Sequence, residues 1–532
     1  MGINEKPNVY TLADGSKAFE HTYENFEVKG YVPKNNLKGN INNYGFKAPL
    51  LVVLEENKLS IEDAAKFADD TGLADIAAEN DATVLFVYPT CEGGWDNTDE
   101  RVYVDFIAEV KLSHMYEDGI VKDCGLFGQE FNGYFLRGTK FRTAVYSFGK
   151  SADFAAKHLL KTIQGEYLWG PGEITPAMVS MERLSVMPCV ERNDIPVISI
   201  GNSQDYNSAL KNCKNILIKE KAEYKSDFKS FVRKFKMWCG EIVEEPDLEA
   251  MNMTEEAGTM IVHTSKDNFG AYKDTKEHEI GYFAYYNNDI FDNGPAPLVI
   301  GFHGAGDSSM FLTYVSGWYE VAHKYGFLFV SFENHMDIPA EEVMEALEEI
   351  KRRYKVDEHR IYAVGFSMGC GKTWDLFEQY PTHFAAIAPA SALFPVYSNP
   401  FGRPVDVERI NKSVPLPIFY SGGDKSHVSE LPCQSAWAVE RLKYAAEVNK
   451  LVKKFDITFE DCSNWTDPVM GIKGDRVERL YDESRDAYLN INYYDSEDGV
   501  CRTAFAVIEN QQHEYRQHTA DKAWQFISKF TR

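Results

Sequence analysis

Short apolar runs recur along this chain in two sets, and both sets follow the same order. APLLVVL (48–54) and APLVIGF (296–302) are each led by Ala-Pro and read as buried strands of a parallel sheet. Each is followed by a helix-like stretch and a second apolar run, LADIAAENDATVLFVYP (73–89) and YEVAHKYGFLFVSF (319–332). VYSFGKSAD (145–153) and IYAVGFSMG (361–369) then end β-rich runs in Gly-x-Ser. IPVISIGNS (195–203) parallels LPIFYSGGD (416–424), and DFKSFVRKF (227–235) parallels KAWQFISKF (522–530), both amphipathic and helical. Strands alternating with helices imply mostly parallel sheets flanked by helices. The pattern predicts two α/β domains of one ancestry, 1–240 and 241–532. They are joined through GEIVEEPDLEAMNMTEEAG (240–258), which lacks apolar periodicity.

The second copy carries the candidate chemistry. Gly365-Phe366-Ser367-Met368-Gly369 follows the strand-like RIYAV (360–364) and precedes a helix-like CGKTWDLFEQY (370–380). That is the context of a nucleophile elbow, with Ser367 on a sharp turn at a helix N-terminus. A serine needs a base, an orienting acid and an oxyanion hole. Elbow hydrolases order them Ser, Asp or Glu, then His. Asp424 ends LPIFYSGGD and is the expected acid. His513 directly follows RTAFAVIEN (502–510) and is the expected base, with His518 a surface or supporting residue. The loop His303-Gly304-Ala305-Gly306 suits an oxyanion hole, with the N–H groups of Ala305 and Met368 as donors.

Two competing motifs fail on spacing. Gly371-Lys372-Thr373 would need a glycine at Phe366 to be a P-loop, and Lys372 then reads as a helix-surface lysine. His513 and His518 are one residue too far apart for H-E-x-x-H, so no metal site is expected.

Taken together, HGAGDSSM (303–310), GFSMGCG (365–371), YPTHFAAIAPAS (380–391), SGGD (421–424) and AFAVIENQQHEY (504–515) resemble the polyhydroxybutyrate-depolymerase and feruloyl-esterase group of α/β-hydrolases. The likeness covers most of 277–532. It implies a serine esterase with no cofactor and, together with the internal repeat, two tandem α/β-hydrolase-like domains. Ser367, Asp424 and His513 would be the triad, and His303 and Gly304 would lie at the substrate and oxyanion loop. The group often has glycines before the histidine and Trp-Pro after it; here Gln511-Gln512 and Tyr515-Arg516 stand in those places. The long interval from Asp424 to His513 suggests an insertion near 450–500 forming a lid or pocket wall.

The first copy reads as degenerate. Leu54-Glu55-Glu56-Asn57 replaces the oxyanion loop, and acidic groups there would oppose an oxyanion. Gly149-Lys150-Ser151-Ala152-Asp153 keeps a serine, Ser203 stands at the acid position near Asp205, and His21, His114 and His158 offer no base before a terminal helix. This copy is expected to pack on the catalytic copy and shape its entrance.

Charge and cysteine content narrow the partners. A formal net charge of −25 makes nucleic acid and anionic membrane surfaces poor partners. No run is long enough to span a membrane, and the N-terminus has no apolar signal region. The Met-Gly start has Lys6 where myristoylation wants Ser or Thr. Nine cysteines without a CxxC pair read as reduced thiols of a cytoplasmic protein. The expected partner is a small-molecule ester, and a homo-oligomer is allowed. A peptidase or acyltransferase on the same triad, or a non-catalytic binding or scaffold protein, are the other readings.

Overall fold

The computed structural model describes residues 8–32, 49–80, 82–115, 139–163, 171–231, 233–237, 240–268, 273–304, 308–332, 338–398, 405–463, 472–483 and 486–532. The chain divides into two compact units, Met1–Pro246 and Asp247–Arg532. The division falls at 246 rather than 240 because Ile242–Glu244 pairs back onto Lys234–Lys236 in an antiparallel hairpin. That hairpin also shortens the helix expected over 227–235, which is observed only at Tyr224–Lys229.

The first unit holds the strands β1 (Asn8–Thr11), β2 (Lys17–Thr22), β3 (Phe26–Val32), β4 (Pro49–Leu54), β5 (Val84–Pro89), β6 (Thr139–Phe148), β7 (Met178–Glu182), β8 (Val197–Ile200) and β9 (Ile216–Lys219). They form one sheet in the order β1-β2-β3-β5-β4-β6-β7-β8-β9. The pairs from β5 through β4 to β9 are parallel. Alternate residues of β4 enter two separate apolar clusters, Leu50, Val52 and Leu54 in one and Leu51 and Val53 in the other. A strand buried on both faces is what its unbroken apolar run demands.

The hairpin strands are β10 (Lys234–Lys236) and β11 (Ile242–Glu244). The second unit holds β12 (Met253–His263), β13 (Glu277–Asn287), β14 (Ala296–Phe302), β15 (Leu328–Phe332), β16 (Val356–Phe366), β17 (Ala386–Ala390), β18 (Ile418–Gly423), β19 (Arg476–Asp482), β20 (Ala487–Tyr494) and β21 (Thr503–Ile508). Their order is β12-β13-β15-β14-β16-β17-β18-β21-β20-β19. Strand for strand, β3-β5-β4-β6-β7-β8-β9 and β13-β15-β14-β16-β17-β18-β21 are the same arrangement. Every residue of β14 is buried.

The flanking helices are amphipathic. Ala340–Arg353 buries Val343, Ala346, Leu347 and Ile350, places Glu341 and Glu342 in its first turn and Lys351, Arg352 and Arg353 in its last. The apolar residues form one helical face, and the charges complement the helix dipole at both ends.

The stretch expected as a lid near 450–500 does something else in its described part. β19 and β20 extend the sheet beyond β21 as an antiparallel pair. Among the described residues, no helix is long and apolar enough to cross a membrane.

One buried ion pair ties the elements around the Gly-x-Ser turn. Arg441, on the helix Ala436–Val448, bonds Glu378 on the helix Met368–Gln379. It also donates to the carbonyls of Phe394 and Pro395, each at 2.8 Å. Removing one member of a buried pair strands the other charge in a low-dielectric interior. Arg441→Met should therefore lower the stability of the full chain by about 3–5 kcal/mol in urea unfolding. A loss below about 1 kcal/mol would show the pair to be incidental.

Candidate active site

The residues expected to carry the chemistry gather at the carboxyl ends of β14, β16, β18 and β21, where crevices form in parallel α/β sheets. Ser367 follows β16 directly, with φ 55° and ψ −113°, and caps the helix Met368–Gln379. This left-handed conformation is costly for a residue with a side chain. The surrounding backbone imposes it. The Ser367 N–H donates to the Ala390 carbonyl at 3.0 Å, and the Ser367 carbonyl accepts from the Gly371 N–H at 3.2 Å.

The flanking glycines are needed for space. A Cβ on Gly365 would lie 2.1 Å from the Gly369 carbonyl oxygen, and one on Gly369 would lie 2.0 Å from that of Phe302. The same Gly369 position faces the His303 carbonyl, so the His303-Gly304 segment sits against the elbow helix.

His513 Nε2 lies 2.8 Å from Ser367 Oγ. On its other side, His513 Nδ1 lies 2.6 Å from Glu430 Oε1. A carboxylate only accepts, so Nδ1 carries the proton and the Nε2 lone pair faces the serine hydroxyl. Glu430 is fully buried. Its second oxygen accepts from the Gly423 N–H at 2.6 Å, which anchors the carboxylate on the side away from the imidazole. Phe366 backs the His513 ring, with centroids 4.9 Å apart.

Asp424, the expected acid, is not brought to His513. Its carboxylate meets Lys425 at 3.8 Å, and burial raises its pKa above the usual carboxylate value, opposed by Lys425 and the amides of Asn510 and Gln511. The reason lies in the turn after β18. Asp424 N–H bonds the Ile508 carbonyl and Lys425 N–H that of Gln511, which ties this segment to the His513 loop through its backbone. The chain then turns back and delivers Glu430 from six residues further on. No residue pattern separates the two acids, since both follow a late strand and precede a helix.

The remaining expectations divide. Met368 is the first residue of the elbow helix, where N–H groups have no intrahelical partner. His303 is buried, and its Nδ1–H donates to the Gly304 carbonyl at 2.8 Å. Ala305 lies outside the described residues. His518 faces Asp482 at 3.7 Å. Lys372 is buried rather than on the surface, and its ammonium meets Asp375 at 2.8 Å. A histidine that the sequence did not single out, His427, stands beside His513, with ring centroids 5.6 Å apart.

The first unit corrects the expected register. Gly149, not Ser151, has the elbow conformation, with φ 54° and ψ −115°. Its N–H bonds the Glu182 carbonyl at 2.8 Å, as that of Ser367 bonds Ala390. Sheet pairing agrees, since Ser147 pairs with Leu54 as Gly365 pairs with Phe302. Ser151 thus stands at the place of Gly369, and its hydroxyl donates to the Leu54 carbonyl at 2.7 Å. A side chain at Gly149 would meet the Glu56 carboxylate at 2.0 Å, and Glu56 is paired with Arg183 at 2.6 Å. Glu55 is buried, with its pKa pushed up to about 6 by burial despite Lys29 at 3.6 Å. Ser203 caps the helix Gln204–Leu210, accepting from the Tyr206 N–H.

No family model matches the chain, and no curated protein matches it. Solved structures to which the chain shows similarity include an acetyl xylan esterase from Aspergillus awamori. It has TM-score 0.35 and 14% identity, and the match covers 51% of this chain and 99% of that one. The feruloyl esterase module from Clostridium thermocellum, bound to sinapinate, has TM-score 0.31 and 14% identity over 53% of this chain and 90% of that one. A putative dienelactone hydrolase from Klebsiella pneumoniae has TM-score 0.30 and 13% identity over 52% of this chain and 100% of that one.

The elbow glycines give a direct check on this geometry. Gly369→Ala should cost about 1–3 kcal/mol, because the methyl group must push the Phe302 carbonyl away. Urea unfolding of the full chain would reveal it, and an unchanged midpoint would contradict the close approach.

Proposed function

We propose that this protein is a serine hydrolase of carboxylic esters, working through an acyl-enzyme on Ser367, His513 and Glu430. The observation that carries the reading is the unbroken hydrogen-bonded chain from Ser367 Oγ through His513 to the Glu430 carboxylate. Chance rarely places a strained elbow serine, a correctly oriented imidazole and a buried carboxylate in one line.

The chemistry follows from the atoms. His513 Nε2 takes the Ser367 proton as Oγ attacks the ester carbonyl carbon. Negative charge grows on the carbonyl oxygen, where the Met368 N–H and the helix N-terminus stabilise it. The loop after Gly304 is the proposed source of a second donor. The imidazolium is held by the Glu430 carboxylate. His513 then gives the proton to the departing alcohol, and water repeats the cycle on the acyl-serine. Phenolic or acyl-sugar esters are the proposed substrates.

In the first unit the equivalent site lacks a nucleophile, because a glycine occupies the elbow. We therefore propose that this unit is not catalytic.

Ser367→Ala should reduce p-nitrophenyl acetate hydrolysis by at least about 10⁴-fold and abolish fluorophosphonate labelling. Turnover persisting in this variant would sink the assignment.

The acid is tested by a pair of substitutions. Glu430→Gln should lower kcat by about 10²–10⁴-fold. Asp424→Asn should stay within about threefold of wild type, since it lies outside the chain of bonds. The reverse ranking would restore Asp424 as the acid.

A further inference from the structure

The segment that delivers Glu430 also carries a second imidazole. His427 lies three residues before the carboxylate, and its ring meets that of His513 edge to face, with planes at 69°. Unlike His513, it is exposed. Its position is fixed by the loop around it. The Lys425 N–H donates to the Gln511 carbonyl at 2.9 Å. The Val428 N–H donates to Ser426 Oγ at 3.1 Å, and the Gln434 amide donates to the Ser426 carbonyl at 3.4 Å. Gln434 Oε1 also accepts from the Glu430 N–H at 2.8 Å. Among the described residues, neither ring nitrogen of His427 has a hydrogen-bond partner, so both are available to a ligand.

An exposed histidine is ordinarily a solvated surface residue. Two features set this one apart: its contact with the imidazole bonded to Ser367, and its place on the loop that orients it. His513 delivers its proton to the departing alcohol, so a side chain packed against that imidazole stands close to the alcohol portion. A neutral imidazole offers one donor and one acceptor, which matches a hydroxyl group. Although the side chain is open to solvent, the protein packed around one side of the ring and the neighbouring His513 both lower the pKa of His427, against the opposing pull of Glu430, and so favour the neutral ring.

We propose that His427 binds a hydroxyl on the alcohol portion of the substrate, so that the protein prefers esters of polyols and sugars to esters of simple alcohols. This rests on the ester-hydrolase reading of Ser367. Glycerol monoacetate and ethyl acetate share one acyl group and differ in leaving-group hydroxyls. Wild type should favour the glycerol ester. His427→Ala should lower kcat/KM for that ester by about 5–10-fold, mostly through KM, as expected for one lost hydrogen bond. Ethyl acetate should change by less than about twofold, and His427→Gln, which keeps a donor and an acceptor, should recover part of the loss. Equal losses on both esters, or none on either, overturn the proposal. Fluorophosphonate labelling separates the two readings. If wild type is unlabelled and turns over neither ester, the hydrolase reading falls and this one with it. If Ser367 is labelled but shows no preference for the glycerol ester, only this proposal falls.

Discussion

The backbone approach between the elbow helix and β14 is the constraint on which the rest of the second unit depends. Ser367 is held at a positive φ because its own N–H is bonded to Ala390 and its carbonyl to Gly371. In this unit the Gly369 Cα packs against the Phe302 carbonyl, a contact that leaves no room for a side chain. The parallel sheet supplies the rigidity, since β14, the second half of β16 and β17 are buried side by side. The conformational cost of the turn is met by many ordinary sheet and helix contacts, as expected for local backbone strain.

The first unit keeps the turn but surrounds it with other residues. The first unit retains the sheet order, the left-handed turn and the N–H bond to the next strand. Its elbow residue is glycine, for which that conformation costs nothing. Without an elbow side chain, the space is taken by Glu56 and its partner Arg183. Ser151 looks in the linear sequence like a surviving nucleophile. It lies two residues too late and is spent on a bond to the Leu54 carbonyl.

The alternation of apolar runs made most of the fold legible. APLVIGF over 296–302 is a strand over that same range, and the strand and helix around Gly365–Gly369 fall where their patterns place them. Such elements depend on local periodicity and on burial on both faces, and both are written in neighbouring residues. The hairpin at Lys234–Glu244 was not legible, because its strands are only three residues long and too short for a period. β19 and β20 were obscured for another reason: they join the sheet at its edge after a long interval, and pairing at a distance leaves no local mark.

The same division runs through the candidate site. The sequence by itself determined which serine could stand on an elbow and which histidine could reach it, because strand, turn, glycine and chain order are all local or ordinal features. It pointed to Asp424 as the acid and passed over Glu430. In the structure the turn after β18, where backbone bonds run from Asp424 and Lys425 to the His513 loop, leaves Glu430 facing the imidazole. Nor could the sequence show that Gly149 rather than Ser151 occupies the first unit's elbow, since that register is set by pairing with β4. A side chain's role in such a site depends on distances of a few tenths of an ångström between residues far apart in the chain, and only the packed tertiary structure sets those distances.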